Sequence, residues 1–394
     1  MQSGSLWGRT EPMARALAVV RGAQRHGLGG ILVIGGPAGV GKTALTWEVR
    51  RQAARMGLRV AAGQCDPAQQ SAPGAAVIAL LRAGREPLLD SDAYADLVRM
   101  AAEPLPVADR IGDHLAGAAG SGPLLIALDD LHRADPTSRF LLRTVIARLA
   151  GLPIVWVLAG CDDLFVGELA GADDLRVEQI RLQPLATVDL VTMATDRLGH
   201  GPDERTSRYL DATGGNPRFA VRIIDSVARG AADSVAAEFH AMVSGRLARL
   251  GEAAQSVVRL LAVAGRPLTI GEIDALLPDT AAHREDDVVS EVLDSGLTTA
   301  VREGLSCRHE LVSQAVRDCT RASHVRRLHR RLAEYYLTDS VRPAQAVAHA
   351  RAAAEPGDAS SGMTLLVAAE SLADTDPDCA SELATHEDCH RPRR

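Results

Sequence analysis

The chain has 394 residues, 46% of them hydrophobic, 24% charged and 3% aromatic, with a formal charge of −7. At about 150 residues per domain that is room for two or three domains with sizeable cores, and the composition excludes collagen-like and disordered chains. The acidic balance excludes a surface that is a phosphate footprint throughout, so any nucleic-acid contact must be local.

The N-terminus, MQSGSLWGRTEPMARAL, lacks the basic start, apolar block and small-residue cleavage site of a secretory signal. Ile31 to Ile34 is a short apolar run closed by Gly35 and Gly36, which predicts a buried parallel strand. A helix is predicted from Thr43 to Met56, because Leu45, Val49, Ala53 and Met56 recur at helical spacing and Gly57 supplies the stop. Leu58 to Ala62 reads as a second strand, and three weak alanine-rich helices follow at 75–83, 92–102 and 106–117. Leu124 to Leu128 is a further apolar run, ending on Asp129 and Asp130. Asp135 and Pro136 have the character of an N-cap and first helical residue for a helix reaching Leu149, and a strand is predicted at Ile154 to Ala159. This alternation predicts an α/β fold, a parallel sheet with helices on both faces, with an edge strand at Val177 to Leu182.

Beyond that strand the pattern changes to helices, with breaks at Gly199, at Gly214 to Pro217 and at Gly230. One strand-like stretch, Gly296 to Leu305, gives 236–338 the composition of a small helical or winged-helix domain. The longest stretches without a charge or histidine, between His26 and Lys42 and between Asp66 and Arg82, are too short and too rich in glycine or polar residues to span a bilayer. A soluble, cytoplasmic chain with no membrane partner is expected. The six cysteines (65, 161, 307, 319, 379 and 389) form no CxxC pair, and the spacing of Cys379, His386, Cys389 and His390 fits no known metal site.

Among 43 basic residues there is a single lysine, Lys42; the other 42 are arginine. A lineage that uses arginine wherever either cation serves keeps a lysine where the planar guanidinium will not do. Lys42 lies in Gly36-Pro37-Ala38-Gly39-Val40-Gly41-Lys42-Thr43, which matches the P-loop pattern and stands between a predicted strand and a predicted helix. In such a loop the glycines let backbone N–H groups fold round a β-phosphate, the helix start adds positive potential, the lysine neutralises β/γ oxygens and the Thr43 hydroxyl coordinates Mg2+. The nucleotide-binding assignment therefore covers Gly36 to Thr43 and Ala44. At the end of the 124–128 strand, Asp129 is placed to hold Mg2+ through its water shell. Asp130 is either the group that orients or deprotonates the attacking water or the cap of a turn.

Taken together these residues resemble the signal-transducing ATPases with numerous domains (STAND), and specifically the N-terminal half of large ATP-binding regulators of the LuxR type. Leu6-Trp-Gly-Arg9 with Glu11 resembles the motif that lies near the adenine in that family, Gly36 to Thr43 its Walker A, and Asp129-Asp130-Leu-His132-Arg-Ala-Asp135 its acidic Walker B. Gly214-Gly-Asn-Pro217 resembles the family's GNP motif, whose proline approaches the nucleotide in relatives, and Cys307-Arg-His309-Glu-Leu-Val resembles a segment of its winged-helix region. Read from the residues alone, Asn216-Pro217 is equally an ordinary turn, and His309 a core or surface histidine. A strand at 58–62 intervenes in sequence between the P-loop strand and Walker B, the ordering, by resemblance, of P-loop proteins with an extra central strand.

Two departures from the family stand out. Many relatives carry a phosphate-sensing arginine after the strand that follows Walker B, where this chain reads Ala159-Gly160-Cys161-Asp162-Asp163, so slow or absent hydrolysis is expected unless Arg143 or Arg148 substitutes. Full members also continue through helical repeats to a DNA-binding helix-turn-helix. The expected domains are a P-loop nucleotide-binding domain at 1–182, a helical lid at 183–235, a winged-helix-like domain at 236–340 and a helical tail at 341–394, the tail being the truncated start of such a repeat or a natural end. Residues 236–340 hold 13 arginines against 15 acids, and the arginine cluster from Arg317 to Arg331 shares its helix with Leu328, Leu332 and Tyr335 to Leu337. A solvated arginine face follows, so this chain alone is not expected to read a specific DNA sequence. The function that the resemblance implies is an ATP/ADP-binding switch in transcriptional regulation, acting through a protein partner or self-association. A turnover ATPase and a non-hydrolysing nucleotide-binding scaffold are the alternatives.

Overall fold

The computed structural model describes residues 6–66, 73–83, 87–101, 103–160, 167, 176–230, 235–278, 286–339, 343–354 and 367. The chain divides into two compact units, residues 1–189 and 190–394.

The first unit begins with a helix absent from the predicted elements, α1 (Thr10–His26). Its buried Ala16, Val19, Val20 and Ala23 fall on one helical stripe, and Gly27 ends it in the left-handed conformation. There follow β1 (Gly30–Gly35), α2 (Lys42–Arg55), β2 (Arg59–Gln64), α3 (Ala75–Arg82), α4 (Ser91–Arg99), α5 (Pro104–Gly120), β3 (Leu124–Asp129), α6 (Pro136–Arg148), β4 (Ile154–Ala159) and β5 (Val177–Arg181). Asp135 caps α6 by accepting a hydrogen bond from the Ser138 N–H, with Pro136 in the first turn, as that dipeptide predicts.

All five strands are parallel, in the order β2-β3-β4-β1-β5. The strand that separates β1 from β3 in space is β4, while β2, which intervenes in sequence, lies at the edge. β1, β3 and β4 read as unbroken apolar runs because both faces of the sheet are covered. Ile31, Val33, Ile126, Leu128, Trp156 and Leu158 pack in one cluster with residues of α3 to α6. Leu32, Ile34, Leu125, Ala127, Val155 and Val157 pack in another with residues of α1 and α2. Each such large side chain contributes about 1.5–3 kcal/mol of burial, so the two clusters fix the strand ends from which the functional loops project.

The second unit is built from α7 (Thr187–Leu198), which starts at the end of the first, then α8 (Glu204–Ala212), α9 (Pro217–Ala228), α10 (Val235–Leu247), α11 (Glu252–Ala264), α12 (Ile270–Leu276), α13 (Asp286–Asp294), β6 (Thr298–Val301), β7 (Gly304–Cys307), α14 (Glu310–Asp318), α15 (Ala322–Asp339) and α16 (Pro343–Ala353). The strand-like stretch is an antiparallel hairpin, β6 with β7, and Leu268 bridges to Leu305 beside it. On α15, Leu328, Leu332 and Tyr336 are buried while Arg321, just before the helix, and Arg327 are exposed. No described helix is long and apolar enough to cross a membrane. Cys161, Asp162 and Asp163, the cluster Cys379, His386, Cys389 and His390, and nearly all of 355–394 lie outside the described residues.

Candidate functional site

The loop between β1 and α2 takes a course that only its glycines allow. Gly36, Gly39 and Gly41 have φ of 132°, 79° and 106°. At Gly36 a Cβ would also lie 2.7 Å from the Leu182 carbonyl oxygen, whereas at Gly41, the N-cap of α2, nothing lies within 4 Å. Gly36 is thus required by backbone conformation and by close approach, Gly41 by conformation alone. Val40 is buried in the cluster beneath the sheet and anchors the loop, while Ala38, Thr43 and Ala44 are exposed. The first turn of α2 carries no acidic residue, so its positive end is left for a ligand. The Lys42 Nζ donates to the carbonyls of Gly36 at 2.8 Å and Pro37 at 3.2 Å, which holds the cation across the loop.

Arg9 braces this loop from outside. Its guanidinium, on a residue only 7% exposed, donates to the Val40 carbonyl at 3.0 Å. Burial pushes the Arg9 pKa down and the Asp189 charge opposes it. Gly8 before it is left-handed, and a Cβ there would strike the Asp189 carboxylate and the Leu185 side chain.

The acidic pair stands at the same, C-terminal edge of the sheet, on β3. Since β4 lies between, β1 and β3 are two strand spacings apart, about 10 Å. Asp129 is 6% exposed, and its Oδ1 accepts the Asp130 N–H at 2.8 Å. Asp130, at φ 53°, is the one described non-glycine residue with a positive φ, in a conformation that aspartate tolerates better than most side chains. Its carboxylate accepts a 2.9 Å hydrogen bond from the Gln64 side chain at the end of β2, with Arg133 3.8 Å away. Gly160, just past β4, ties both halves together: its N–H donates to the Ile34 carbonyl at 3.0 Å and its carbonyl accepts the His132 N–H at 2.9 Å.

Asp135, further along the same segment, has a structural part. Besides capping α6, the buried Asp135 carboxylate accepts the Gly74 N–H at 3.0 Å. Burial, followed by the charges of Asp135, Asp130 and Asp129, pushes the Cys65 thiol up to about 12, so it stays protonated and inert at neutral pH. Arg50, two turns beyond Thr43 on α2, has its pKa lowered by burial and opposed by Asp129, which makes it a half-buried cation in the field of that carboxylate. Of the two arginines weighed as phosphate sensors, Arg148 is held by Asp109 at 2.8 Å and Asp113 at 2.6 Å on α5, and Arg143 lies 5.9 Å from the Phe140 ring centroid.

In the second unit Pro217 occupies the first turn of α9 and Asn216 is its N-cap residue. His309 is the N-cap of α14, where its Nδ1 accepts the Leu311 N–H at 3.1 Å.

A Mg2+ ion takes oxygen ligands and retains several waters, so it needs few protein donors beside the nucleotide phosphates. The Thr43 hydroxyl and the Asp129 carboxylate are donors of that kind, and among the described residues no group of three or more His, Cys, Asp and Glu could replace them. Motif reasoning left Gln64, Arg50 and Gly160 unmarked. Gln64 could have been found by aligning the C-terminal ends of the parallel strands, which puts it opposite Asp129.

Residues 5–157 match the family model of the AAA ATPase domain. This stretch is an AAA-type P-loop ATPase domain. An uncharacterized protein of Rhizobium meliloti (strain 1021) is 28% identical over 362 residues, a match covering 78% of this chain and 34% of the relative. The chain thus spans about a third of the length of that curated relative. Among solved structures, a Walker-type ATPase of Pyrococcus abyssi superposes with a TM-score of 0.56 at 13% identity, covering 79% of this chain and 96% of that one. A Pyrococcus horikoshii STAND protein with a tetratricopeptide repeat sensor gives a TM-score of 0.39 at 14% identity, covering 95% of this chain and 57% of that one. The first of these structures shares the P-loop NTPase-like fold, a parallel sheet flanked by helices.

Proposed function

We propose that the chain is an ATP/ADP-binding molecular switch of the STAND type that serves transcriptional regulation of the LuxR kind through a protein partner or self-association. The observation that carries this reading is the phosphate loop. Its one lysine lies across the Gly36 and Pro37 carbonyls at the start of an uncompensated helix, on the same sheet edge as Asp129 and Asp130. Gly36 to Ala44 hold the phosphates, Thr43 and Asp129 carry Mg2+, which would neutralise phosphate charge, and Asp130 handles the attacking water. The order of Arg9, Lys42, Asp129-Asp130, Asn216-Pro217 and His309 supports the switch over a generic P-loop enzyme. So does the sequence at Cys161, where no cation stands to stabilise the transition state. In this reading ATP and ADP favour different packings of the P-loop domain, the helical lid at 183–235 and the winged-helix-like region at 236–340.

The test is size-exclusion chromatography with analysis of bound nucleotide in ATP, ADP and no nucleotide, together with single-turnover and steady-state hydrolysis. A nucleotide-dependent change in assembly, with slow release, is expected. Steady-state turnover above about 1 per second, the ordinary enzyme range, would favour the turnover ATPase. Binding without any cleavage in a single turnover would favour the scaffold.

A further inference from the structure

The helix α16 is held to the second unit by little apolar surface. It packs on α15, and the apolar side chains it buries are Ala346, Val347, Ala350 and Ala353, one valine among alanines. An isolated helix of 11 residues is marginal in water, so α16 keeps its form by docking. Among the described residues the bulkiest side chain that it buries is His349. That imidazole meets His329 of α15, with the two Nδ1 atoms 2.8 Å apart and the ring centroids 5.0 Å apart. Tyr336 of α15 completes the contact, its ring centroid 5.7 Å from that of His349.

A bond between two Nδ1 atoms has room for one hydrogen. One ring donates and the other must present a bare lone pair, so the contact fails when both rings are protonated. The charged groups that face the pair oppose protonation as well. Arg266, just past α11, donates from Nε to the Tyr336 hydroxyl at 2.9 Å, its Cζ lies 5.0 Å from that ring centroid, and Glu272 of α12 pairs with it at 2.6 Å. Arg317 of α14, paired with Glu310 at 2.8 Å, acts on His329. Among the described residues no carboxylate pairs with either imidazole. Burial, then His329 and Arg266, lower the His349 pKa to about 4, and burial, then Arg317, lowers that of His329. The docked helix therefore favours neutral rings. Docking is at full strength above pH 6.5, the ordinary histidine value, and weakens progressively as the pH falls towards 4.

We propose that the His329–His349 pair is a proton-operated latch, which keeps α16 docked on α15 near neutral pH and in acid releases it, uncovering His329 and Tyr336. The release is local, because the hydrogen bond joins only these two helices. The latch does not depend on the nucleotide reading. With His349 at about 4 when docked and 6.5 when released, a change from pH 7.5 to 4.5 raises the opening equilibrium about 70-fold through this residue alone.

The test is amide hydrogen exchange of the full chain, read by mass spectrometry in steps from pH 7.5 to 4.5, with each rate divided by the intrinsic rate at that pH. In the parent, protection over 343–353 is expected to stay level down to pH 6.5 and then to fall at least about tenfold further than protection over β3 and β4. In His349→Gln, which can still hydrogen-bond His329 but takes no proton, and in His349→Phe, which keeps the ring packing, that extra fall is expected to be absent. The parent profile stands by itself if both substitutions undock α16 at pH 7.5. Level protection over 343–353 throughout, a fall shared equally by β3 and β4, a fall already under way above pH 6.5, or the same extra fall in a variant that keeps α16 docked would overturn the proposal.

Discussion

Removing the Lys42 ammonium tests the phosphate loop most directly, and its consequence can be worked from the loop geometry. The Nζ holds two loop carbonyls, at 2.8 and 3.2 Å, so a bond to a phosphate oxygen is made in exchange for these rather than from nothing. The net gain is therefore about that of one charge-assisted hydrogen bond, roughly 1.5–3 kcal/mol, and Lys42→Ala should weaken MgATP binding about 10- to 100-fold. Lys42→Arg should be defective as well, because a longer planar group cannot occupy the gap between the Gly36 and Pro37 carbonyls as a point charge. The side chain is partly exposed and lies outside both core clusters, so thermal unfolding should hardly move. Calorimetric titration with MgATP beside a circular-dichroism melt reads both quantities. Unchanged affinity in the two variants would refute the assignment of this loop to phosphate.

Other positions separate binding, chemistry and folding. Asp129→Ala should abolish the Mg2+-dependent tightening of nucleotide binding, measured by titration with and without Mg2+. Asp130→Asn should retain binding and lose the hydrolysis seen in a single turnover; hydrolysis at the parent rate would make Asp130 a structural residue. Gln64→Ala removes one hydrogen bond to that carboxylate, worth about 0.5–1.5 kcal/mol, and should change the single-turnover rate about two- to tenfold with ATP affinity unaltered. Gly36→Ala combines a left-handed backbone with a clash at 2.7 Å against the Leu182 carbonyl, so it should lower the melting temperature more than Gly41→Ala, which meets nothing. In the second unit the 9%-exposed His349 has its Nδ1 2.8 Å from that of His329, and burial, then His329 and Arg266, lower its pKa from 6.5 to about 4. A histidine kept neutral by the fold stabilises fully above pH 6.5, and that contribution, about 3 kcal/mol, should be lost as the pH falls towards 4. Urea unfolding at pH 7.5 and 4.5 should show this loss, and His349→Phe should reduce it.

The parts of this protein that are legible in its sequence are those whose physics is local or is imposed equally on every residue of an element. β1, β3 and β4 are buried on both faces, so each appears as an unbroken apolar run. The phosphate loop is legible for a related reason: its backbone needs left-handed conformations at fixed intervals, and Gly36, Gly39 and Gly41 supply them within one short segment. α1 escapes because its buried stripe is made largely of alanine and valine set among arginine and glutamine, a weak apolar signal whose partner is the sheet still to come. The order of the strands is invisible in any local pattern. Alternating strands and helices predict a parallel sheet, but that β4 enters between β1 and β3 is settled by packing across the whole unit.

The same distinction explains which site residues the sequence withholds. Asp130 is marked by its place at the end of an apolar run, yet what holds its carboxylate, Gln64, comes from another strand and depends on the register of β2 against β3. Arg9 carries a signal through its resemblance to a family motif, but its act of bracing the loop at Val40 rests on the docking of α1. Gly160 is the extreme case. Nothing in its own segment marks it until β4 enters between β1 and β3, and then its N–H and its carbonyl tie Ile34 to His132. A sequence motif reports a requirement that one segment must meet by itself. A bond between neighbouring strand ends is a property of the assembled unit, and it becomes visible when the order of the strands is known.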